Sequence, residues 1–288
     1  MSPEKGTPHK IFDGRDRIIY APVPELRAQL RNIKAAVETQ LFRNQTFYEL
    51  WTWESIHGFV PWHNNKTHAR VHREAQTILQ LDIKRAFEST PRAKVMKALE
   101  GLGITNDQLL TNIYVLAFWG DILPTGFPTS PIFFNAAFLP TDEAIVEAAR
   151  KYELRYSRYA DDIALSSPAN RIPEEAISDI VLAIEDTGYQ THKIRIGHPW
   201  SKAVQICGIS VDKGRLKVPN EKKRSYKGRI FRHLHLTHPP QYAQVWGLLG
   251  HIKFIEGSLP RYFQKVEQYL RMTDPAHVRR GAKRDYRI

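Results

Sequence analysis

The sequence of 288 residues has little cysteine and no long apolar run. Its single cysteine, Cys207, excludes an internal disulfide framework and any cysteine-rich zinc site, and it fits a reducing compartment. No stretch approaches the ~18 apolar residues of a membrane-spanning helix. The first ten residues contain no apolar core for export. We therefore expect a cytoplasmic protein that has no membrane partner.

Apolar residues are nevertheless abundant enough for a packed interior. Hydrophobic residues make up 42% of the chain and aromatic residues 11%. A chain of this length and composition can form one large or two small domains, so a mainly disordered protein is excluded.

Positive charge is distributed unevenly along the chain. The 42 Lys and Arg residues outnumber 30 Asp and Glu residues, which gives a formal charge of +12. Residues 216–288 carry 16 basic and five acidic residues, a net of +11, whereas the preceding 215 residues are nearly neutral. Basic residues contribute most to binding affinity where they displace counterions from the phosphates of a polyanion, so we expect a nucleic-acid partner. A solubilising tail is the alternative, but the basic residues alternate with apolar, helix-patterned segments instead of forming one block.

Hydrophobic periodicity predicts a mixture of helices and strands. The predicted helices cover residues 26–41, 91–102, 135–152, 173–187, 242–256 and 260–272. The predicted strands cover residues 78–83, two short segments within 154–166, and a hairpin of 204–211 with 215–218. Residues 123–131 contain three prolines and a glycine and should form a rigid loop. Strands in the middle and helices at both ends indicate the α+β class.

Carboxylates occur at the ends of two predicted strands. Asp161 and Asp162 lie at a predicted turn, and Asp82 lies near the end of the apolar run 78–83. Taken singly, each is best explained as a surface acid. If the two strands meet at one sheet edge, however, the acids would suit Mg²⁺, which prefers oxygen ligands. Two such ions about 3.5–4 Å apart can activate a hydroxyl and stabilise a leaving pyrophosphate. This chemistry is typical of a polymerase or a nuclease, and spacing alone does not separate the two.

Several segments, in a fixed order, resemble the motifs of reverse transcriptases. Residues 159–162, Tyr-Ala-Asp-Asp, resemble the family's Tyr-x-Asp-Asp turn, and residues 81–89, Leu-Asp-Ile-Lys-Arg-Ala-Phe-Glu-Ser, resemble its first catalytic strand. The loop at 123–131, followed by Asn135, is similar to the loop over template and nucleotide. Further similar segments are found at residues 17–22, 57–72, 188–196 and 206–209. The resemblance is to the compact bacterial enzymes of the retron and group II intron branch, and it extends from about residue 11 to the end.

The resemblance implies a right-hand polymerase fold of the α+β class. Its fingers would be residues 1–76. Its palm, an antiparallel sheet with helices, would be residues 77–215, with an inserted fingers segment at about 90–122. Its helical thumb would be residues 216–288 and would hold most of the positive charge.

Matching positions also imply a catalytic centre. Asp82, Asp161 and Asp162 would bind two Mg²⁺ ions, for which Mn²⁺ is a substitute, and the Ile83 carbonyl would complete the coordination. Lys193 would protonate the leaving pyrophosphate; Arg195 competes for this position, although arginine is a poor acid.

The resemblance further assigns residues to the nucleotide and to the nucleic acid. Phe87 matches an aromatic gate that selects deoxynucleotides, and its alternative is a core phenylalanine. Arg15 and Arg17 would clamp the triphosphate, unless they are a solvated pair beside neighbouring aspartates, and Thr125 and Gly126 would contact the nucleotide. The expected nucleic-acid contacts of the thumb are Lys222, Lys223, Arg224, Lys227, Arg229 and Arg232.

Three departures from the family pattern stand out. Thr125 occupies a position where the family commonly has glutamine. Residues 68–72, His-Ala-Arg-Val-His, replace the asparagine of the retron signature Asn-Ala-x-x-His, and residues 206–208, Ile-Cys-Gly, replace its Val-Thr-Gly. The two histidines lack a third ligand, so a structural or RNA-contacting role is favoured over a metal site. A retron enzyme and another defence-associated reverse transcriptase fit these departures equally well.

The function implied by the resemblance is RNA-directed DNA polymerase activity. The expected partners are a structured noncoding RNA template, deoxynucleotides and an RNA–DNA hybrid product, and an effector protein or a homo-oligomer is left open. Antiphage defence is the biological setting implied by analogy. Two alternatives remain: a catalytically silent RNA-binding scaffold, and a polymerase that makes RNA.

Overall fold

A computed structural model describes residues 8–11, 17–52 and 54–276 of the chain. Its strands are β1 (Pro8–Ile11), β2 (Arg17–Tyr20), β3 (Thr77–Ile83), β4 (Arg155–Tyr159), β5 (Asp162–Ser167), β6 (Thr191–Gly197), β7 (Val204–Ile206), β8 (Ile209–Asp212) and β9 (Arg215–Lys217). Its α-helices are α1 (Pro24–Leu41), α2 (Gln45–Thr52), α3 (Asn65–Val71), α4 (Arg92–Gly101), α5 (Asp107–Leu116), α6 (Ser130–Lys151), α7 (Glu174–Glu185), α8 (Asn220–Phe231), α9 (Tyr242–Glu256) and α10 (Arg261–Thr273). A π-helical turn, Arg232–Leu236, follows α8.

The central sheet has four antiparallel strands in the order β4-β5-β3-β6. Successive side chains of a strand point to opposite faces, and β3 follows this rule. Leu79, Leu81 and Ile83 pack in one hydrophobic core with helices α1 and α4–α7, whereas Ile78 packs in a second core. The sheet therefore separates two cores, and Asp82 belongs to the face of Ile78.

The second core joins the small sheet β7-β8-β9 to the helices that follow it. Its buried residues include Val211 of β8 and Val245, Ile252 and Phe263 of α9 and α10. A separate two-stranded hairpin of β1 and β2 precedes α1. The assignment of residue ranges to fingers, palm and thumb stays a prediction, and we keep these names for the ranges given above.

Helices predicted from periodicity are present as α1, α4, α6, α7, α9 and α10. In α1, the apolar residues at three- and four-residue steps, from Leu26 to Leu41, are all buried. The loop before α6 is present but shorter than predicted: residues 123–129 lie outside regular structure, whereas Ser130 and Pro131, predicted to belong to the loop, form the first turn of α6, where proline is tolerated. Periodicity succeeds for α1, α4, α7, α9 and α10 because each buries one apolar stripe, whereas α6 is buried on all sides between residues 132 and 139.

Two predictions of local structure were wrong. The strand expected at 204–211 is divided into β7 and β8, because Cys207 and Gly208 adopt positive φ angles of 45° and 77° and turn the chain. Strands were expected only between residues 78 and 218, yet β1 and β2 precede them. Helix α8 was not predicted, since it buries only Tyr226 and Ile230 and has no continuous apolar stripe.

No helix within the described ranges combines the length and the apolar character needed to cross a membrane.

Two buried histidines attach α3 to the central sheet. His68 Nδ1 lies 2.7 Å from Ser157 Oγ. His72 Nε2 lies 2.7 Å from the same hydroxyl, and its Nδ1 lies 2.7 Å from Ser166 Oγ. Both rings are fully buried. These contacts support a structural role for the pair and leave no surface for contact with RNA.

Buried histidines predict a loss of stability on mild acidification. Burial lowers the pKa of His57 and of His72 from 6.5 to about 3, and it also lowers the pKa of His68. The unfolded chain therefore binds more protons below pH 6.5, and the free energy of unfolding falls as the pH decreases from 6.5 towards 3. We expect a slope of about 1.4 kcal/mol per pH unit for each histidine.

Urea unfolding between pH 7.5 and pH 5 measures this slope. The variant His72→Gln should show a shallower dependence, because one titrating group is removed. A free energy of unfolding that does not change over this range would contradict the prediction.

Candidate active site

The register of the central sheet brings the predicted catalytic residues together. Asp82 of β3 lies directly opposite Asp162 of β5 and, on its other side, opposite Lys193 of β6. Residues directly opposite one another in antiparallel strands project to the same face. Asp161 precedes β5, and its carbonyl accepts a hydrogen bond of 3.2 Å from the Ile83 N–H. Residues from three distant parts of the sequence thus meet at one end of the sheet.

A cavity of about 830 Å³ opens at this end of the sheet. Two carboxylates at predicted catalytic positions, Asp82 and Asp161, line it. The other predicted site residues that line it are Ile83, Phe87, Thr125 and Lys193. Asp162 and Gly126 are not among the lining residues.

Asp162 contacts the turn between β7 and β8. The Cys207 thiol donates a hydrogen bond to Asp162 Oδ2, with a sulfur–oxygen distance of 3.3 Å. Burial, reinforced by the charges of Asp162 and Asp161, raises the pKa of Cys207, so the thiol stays protonated and acts as a donor. Asp162 as a third metal ligand stays a prediction.

The chemistry of the cavity suits a hard divalent cation. Among the described residues, no three His, Cys, Asp or Glu side chains form a group that could hold a metal ion by themselves. Mg²⁺ is usually bound by one or two carboxylates together with substrate phosphates, not by an all-protein cage. The Asp82 and Asp161 carboxylates, with the Ile83 carbonyl as a further oxygen, fit that mode of binding.

Register distinguishes Lys193 from Arg195 as the basic residue nearest the acids. Lys193 lies opposite Asp82, lines the cavity and is exposed. Arg195 lies opposite Gln80, two residues further from the turn, and is not among the lining residues. The geometry favours Lys193 as the proton donor, a role that stays a prediction.

Phe87 contacts both the hydrophobic core and the cavity, the two environments that were predicted as alternatives for it. Its ring packs edge-on against Phe134, with 5.6 Å between ring centroids, and it is partly buried against the first core. The same side chain lines the cavity. A ring fixed by the core on one side and presented to the cavity on the other suits a rigid gate.

Gly126 provides a close approach between β2 and the loop before α6. The Tyr20 N–H donates a hydrogen bond of 2.8 Å to the Thr125 carbonyl. Gly126 has a φ of 107°, and a Cβ there would lie 2.6 Å from the Tyr20 carbonyl oxygen. Only glycine accommodates both conditions. Gly126 therefore shapes the rim, whereas Thr125 lines the cavity.

The predicted triphosphate clamp is only partly described. Arg15 lies outside the described residues. The backbone of Arg17 pairs with Ile11 in the β1–β2 hairpin, but the Arg17 side chain also lies outside the described structure.

Three basic residues of the cavity were not predicted from the sequence. Lys84, Arg85 and His192 line it, although only acids and Lys193 were predicted on these strands. Arg85 has a φ of 48°, a backbone conformation uncommon for residues other than glycine, where the chain leaves β3. The signal available was the position of Lys84 and Arg85 within the segment 81–89 that carries Asp82.

The predicted nucleic-acid residues of the thumb lie on α8 and the π-helical turn. Lys223 forms an ion pair of 2.7 Å with Glu256, so its charge is already balanced. The Lys227 ammonium lies 4.7 Å from the ring centroid of Tyr262, a cation–π contact. The predicted residues that are exposed are Lys222, Arg224, Lys227, Arg229 and Arg232.

A buried ion pair, also not predicted from the sequence, lies next to the acidic turn, by which we mean residues 160–162. Arg158 of β4 and Asp142 of α6 are both fully buried, with 2.7 Å between Nη2 and Oδ2. Burial by itself would lower the pKa of Arg158, but the Asp142 carboxylate outweighs it and raises that pKa, so the charge is kept. The Tyr156 hydroxyl donates a further hydrogen bond to Asp142. Arg158 also donates a hydrogen bond to the Ala160 carbonyl, in the acidic turn itself.

The chain was compared with known protein families. Residues 18–211 match the family described as reverse transcriptase (RNA-dependent DNA polymerase). This range includes every strand of the central sheet and the acidic turn.

Bacterial retron enzymes are among the curated relatives. The retron Mx65 reverse transcriptase of Myxococcus xanthus is 26% identical over 290 residues, which cover 94% of this chain and 61% of that enzyme. The retron Ec86 reverse transcriptase of Escherichia coli is 26% identical over 276 residues, which cover 92% of this chain and 80% of that enzyme. The chain thus spans about three fifths of the Mx65 enzyme.

Solved structures of similar fold include telomerases. A telomerase from Candida albicans, in complex with a TWJ fragment of telomeric RNA, superposes with a TM-score of 0.55 at 14% identity, over 71% of this chain and 43% of that chain. An apo telomerase from Candida tropicalis gives a TM-score of 0.55 at 9% identity, over 74% of this chain and 48% of that chain. The α+β polymerase fold expected from the sequence is thereby confirmed.

Proposed function

The chain belongs to the reverse transcriptase family, with bacterial retron enzymes among its relatives, and we propose on this basis that it is an RNA-directed DNA polymerase. The observation that carries the proposal is the convergence of Asp82 and Asp161 on one cavity in a chain of this family. The reaction is attack of a primer 3′-hydroxyl on the α-phosphorus of a deoxynucleotide, with release of pyrophosphate.

Different side chains of the cavity position the substrates and stabilise their charge. Lys84 and Arg85 stabilise the negative charge of the triphosphate, since both line the cavity beside the acids. Lys193, opposite Asp82, donates a proton to the leaving pyrophosphate. Phe87 lies where its ring excludes a ribose 2′-hydroxyl. Positioning and electrostatics supply most of the catalysis in phosphoryl transfer.

Asp82 and Asp161, with the Ile83 carbonyl and with Asp162 as a further candidate, would hold two Mg²⁺ ions, for which Mn²⁺ is a substitute. When bound, these ions supply activation of the attacking hydroxyl and charge stabilisation of the leaving group.

The partners follow from the family and from the charge of the thumb. The template is a structured noncoding RNA, and the product is an RNA–DNA hybrid. The exposed basic residues of α8 contact phosphates of these nucleic acids. The setting is the cytoplasm of a bacterium, in antiphage defence. An effector protein or a second copy of the chain stays open as a further partner.

Primer extension tests the proposal directly. Purified protein is incubated with an RNA template, a DNA primer, deoxynucleotides and Mg²⁺, and DNA products are resolved by length. We expect templated extension that stops when EDTA is added. The assay is run on a generic template and on the RNA that copurifies with the protein. If the protein retains RNA but makes no DNA on either template, a silent scaffold is favoured instead.

Charge reversal on α8 is expected to weaken nucleic-acid binding and its dependence on salt. The double variant Arg224→Glu/Lys227→Glu removes two exposed cations and should reduce the slope of log K against log salt concentration by about 2. Fluorescence anisotropy with an RNA–DNA hybrid measures this slope.

A matched control is available on α1. Arg27→Glu/Arg31→Glu reverses two exposed arginines on another helix for which no nucleic-acid contact is predicted. Equal effects of the two double variants would show that net charge, not the surface of α8, governs binding.

A further inference from the structure

We propose that Arg158 is a positioning residue, whose guanidinium holds the backbone of the acidic turn so that Asp161 is presented to the cavity. The inference rests on the function proposed above. It concerns a side chain that is fully buried and therefore does not touch the substrates.

The acidic turn adopts a backbone conformation that needs outside support. Ala160 has a φ of 56°, in the left-handed region that residues with a Cβ seldom adopt. Such conformations persist only where the surrounding structure fixes them. The segment that carries Asp161 therefore depends on its contacts with neighbouring elements.

Arg158 supplies the contact to the centre of the turn. Its Nη1 donates to the Ala160 carbonyl at 3.0 Å and to Asn135 Oδ1 at 3.1 Å. Its Nε and Nη2 donate to the two carboxylate oxygens of Asp142, at 2.8 and 2.7 Å. The planar guanidinium thus joins α6 to the turn through four hydrogen bonds. A lysine ammonium is a point donor and cannot span these acceptors.

A second layer of contacts closes around the same turn. Asn135 Nδ2 donates to the Gly58 carbonyl at 2.9 Å. Gly58 lies so close to the turn that a Cβ there would be 2.3 Å from the Ala160 nitrogen. The backbone of Arg158 also pairs with the segment before Gly58: its N–H donates to the Ser55 carbonyl at 2.7 Å, and its carbonyl accepts from the His57 N–H at 2.8 Å.

These contacts bring two separate parts of the chain to Arg158 and the turn that follows it. Asn135 and Asp142 come from α6, and Ser55, His57 and Gly58 come from the predicted fingers. If the ion pair served only to stabilise the fold, any replacement that restored stability would restore activity. If Arg158 positions the turn, activity requires its fork of donors even in a stable protein.

Two variants separate these possibilities. Arg158→Lys keeps a cation beside Asp142 but loses the fork. The triple variant Arg158→Met/Asp142→Leu/Tyr156→Phe removes the polar cluster and fills the space with apolar side chains, a replacement that often preserves stability. Thr141→Val is the matched control, because Thr141 is a buried polar residue of α6 that bonds Thr187 and does not contact the turn.

The experiment has two readouts on folded protein. Steady-state primer extension gives kcat and the KM for deoxynucleotide, and hydrogen–deuterium exchange reports the backbone of residues 155–166. For both test variants we expect at least a tenfold decrease in kcat, little change in KM, and at least tenfold faster exchange at the turn. Thr141→Val should retain wild-type kcat and exchange at the turn, even where its melting temperature falls.

Either of two results would overturn the proposal: wild-type kcat in the folded triple variant, or unchanged exchange at the turn in both test variants. Should the triple variant fail to fold, Arg158→Lys makes the same comparison. If the unmodified protein synthesises no DNA, the proposed function fails. The exchange measurement then still decides whether Arg158 orders the turn.

Discussion

Replacing Asp161 with asparagine is expected to abolish DNA synthesis while leaving the protein folded. Asp161 shares the cavity with Asp82, so the substitution removes one of the two lining carboxylates that are predicted to bind a divalent cation. Loss of several kcal/mol of transition-state stabilisation follows, and we expect kcat to fall by at least about 1,000-fold, about 4 kcal/mol. Primer extension under saturating nucleotide measures the change.

The control for this variant is an identical substitution outside the cavity. Asp186 is exposed after α7, and Asp186→Asn should retain the wild-type rate. RNA binding by Asp161→Asn should also be retained, because the exposed cations of α8 are unchanged. An active Asp161→Asn protein would show that the acidic turn is not the catalytic centre.

Truncation of Phe87 is expected to relax the choice of sugar. With alanine at this position, the cavity gains room for a ribose 2′-hydroxyl. The preference for deoxynucleotides over ribonucleotides, expressed as the ratio of their kcat/KM values, should fall by about 100-fold, about 2.7 kcal/mol. Because Phe87 also packs against Phe134, the variant loses some stability and is assayed at a temperature at which it is folded.

Phe87→Tyr retains the aromatic ring and should retain the wild-type ratio. Single-nucleotide incorporation with matched deoxy- and ribonucleotides measures both variants. Efficient use of ribonucleotides by the unmodified protein would instead identify a polymerase that makes RNA. Phe87 would then not act as a gate against the ribose 2′-hydroxyl.

Local pattern was sufficient to predict strands β3, β4 and β5 of the central sheet, because their apolar residues lie within short segments. Asp82, Asp161 and Lys193 were assigned by their resemblance to the family's motifs; the sheet register places their segments side by side, and their catalytic roles stay predictions. The amphipathic helices were predictable for a similar reason, because each carries its apolar stripe within its own sequence. What could be predicted was therefore local in the chain.

Contacts between distant segments could not be predicted. Arg158 is followed by the acidic motif, but nothing near it in sequence indicates that Asp142 and Asn135 of α6 neutralise and orient it. A charged residue in a strand is usually exposed, whereas Arg158 is fully buried. The hydrogen bond between Cys207 and Asp162 likewise joins residues that are far apart in sequence. Such pairs depend on how elements pack, which periodicity does not encode.

The close packing of Gly58 on the acidic turn limits how the molecule can move. With the Gly58 backbone against Ala160, and with Ser55 and His57 hydrogen-bonded to Arg158, residues 55–58 cannot pivot relative to the central sheet without breaking buried hydrogen bonds. A hinge for closure over an incoming nucleotide must therefore lie outside this segment. Residues 55–58, a part of the predicted fingers, are therefore fixed to the central sheet.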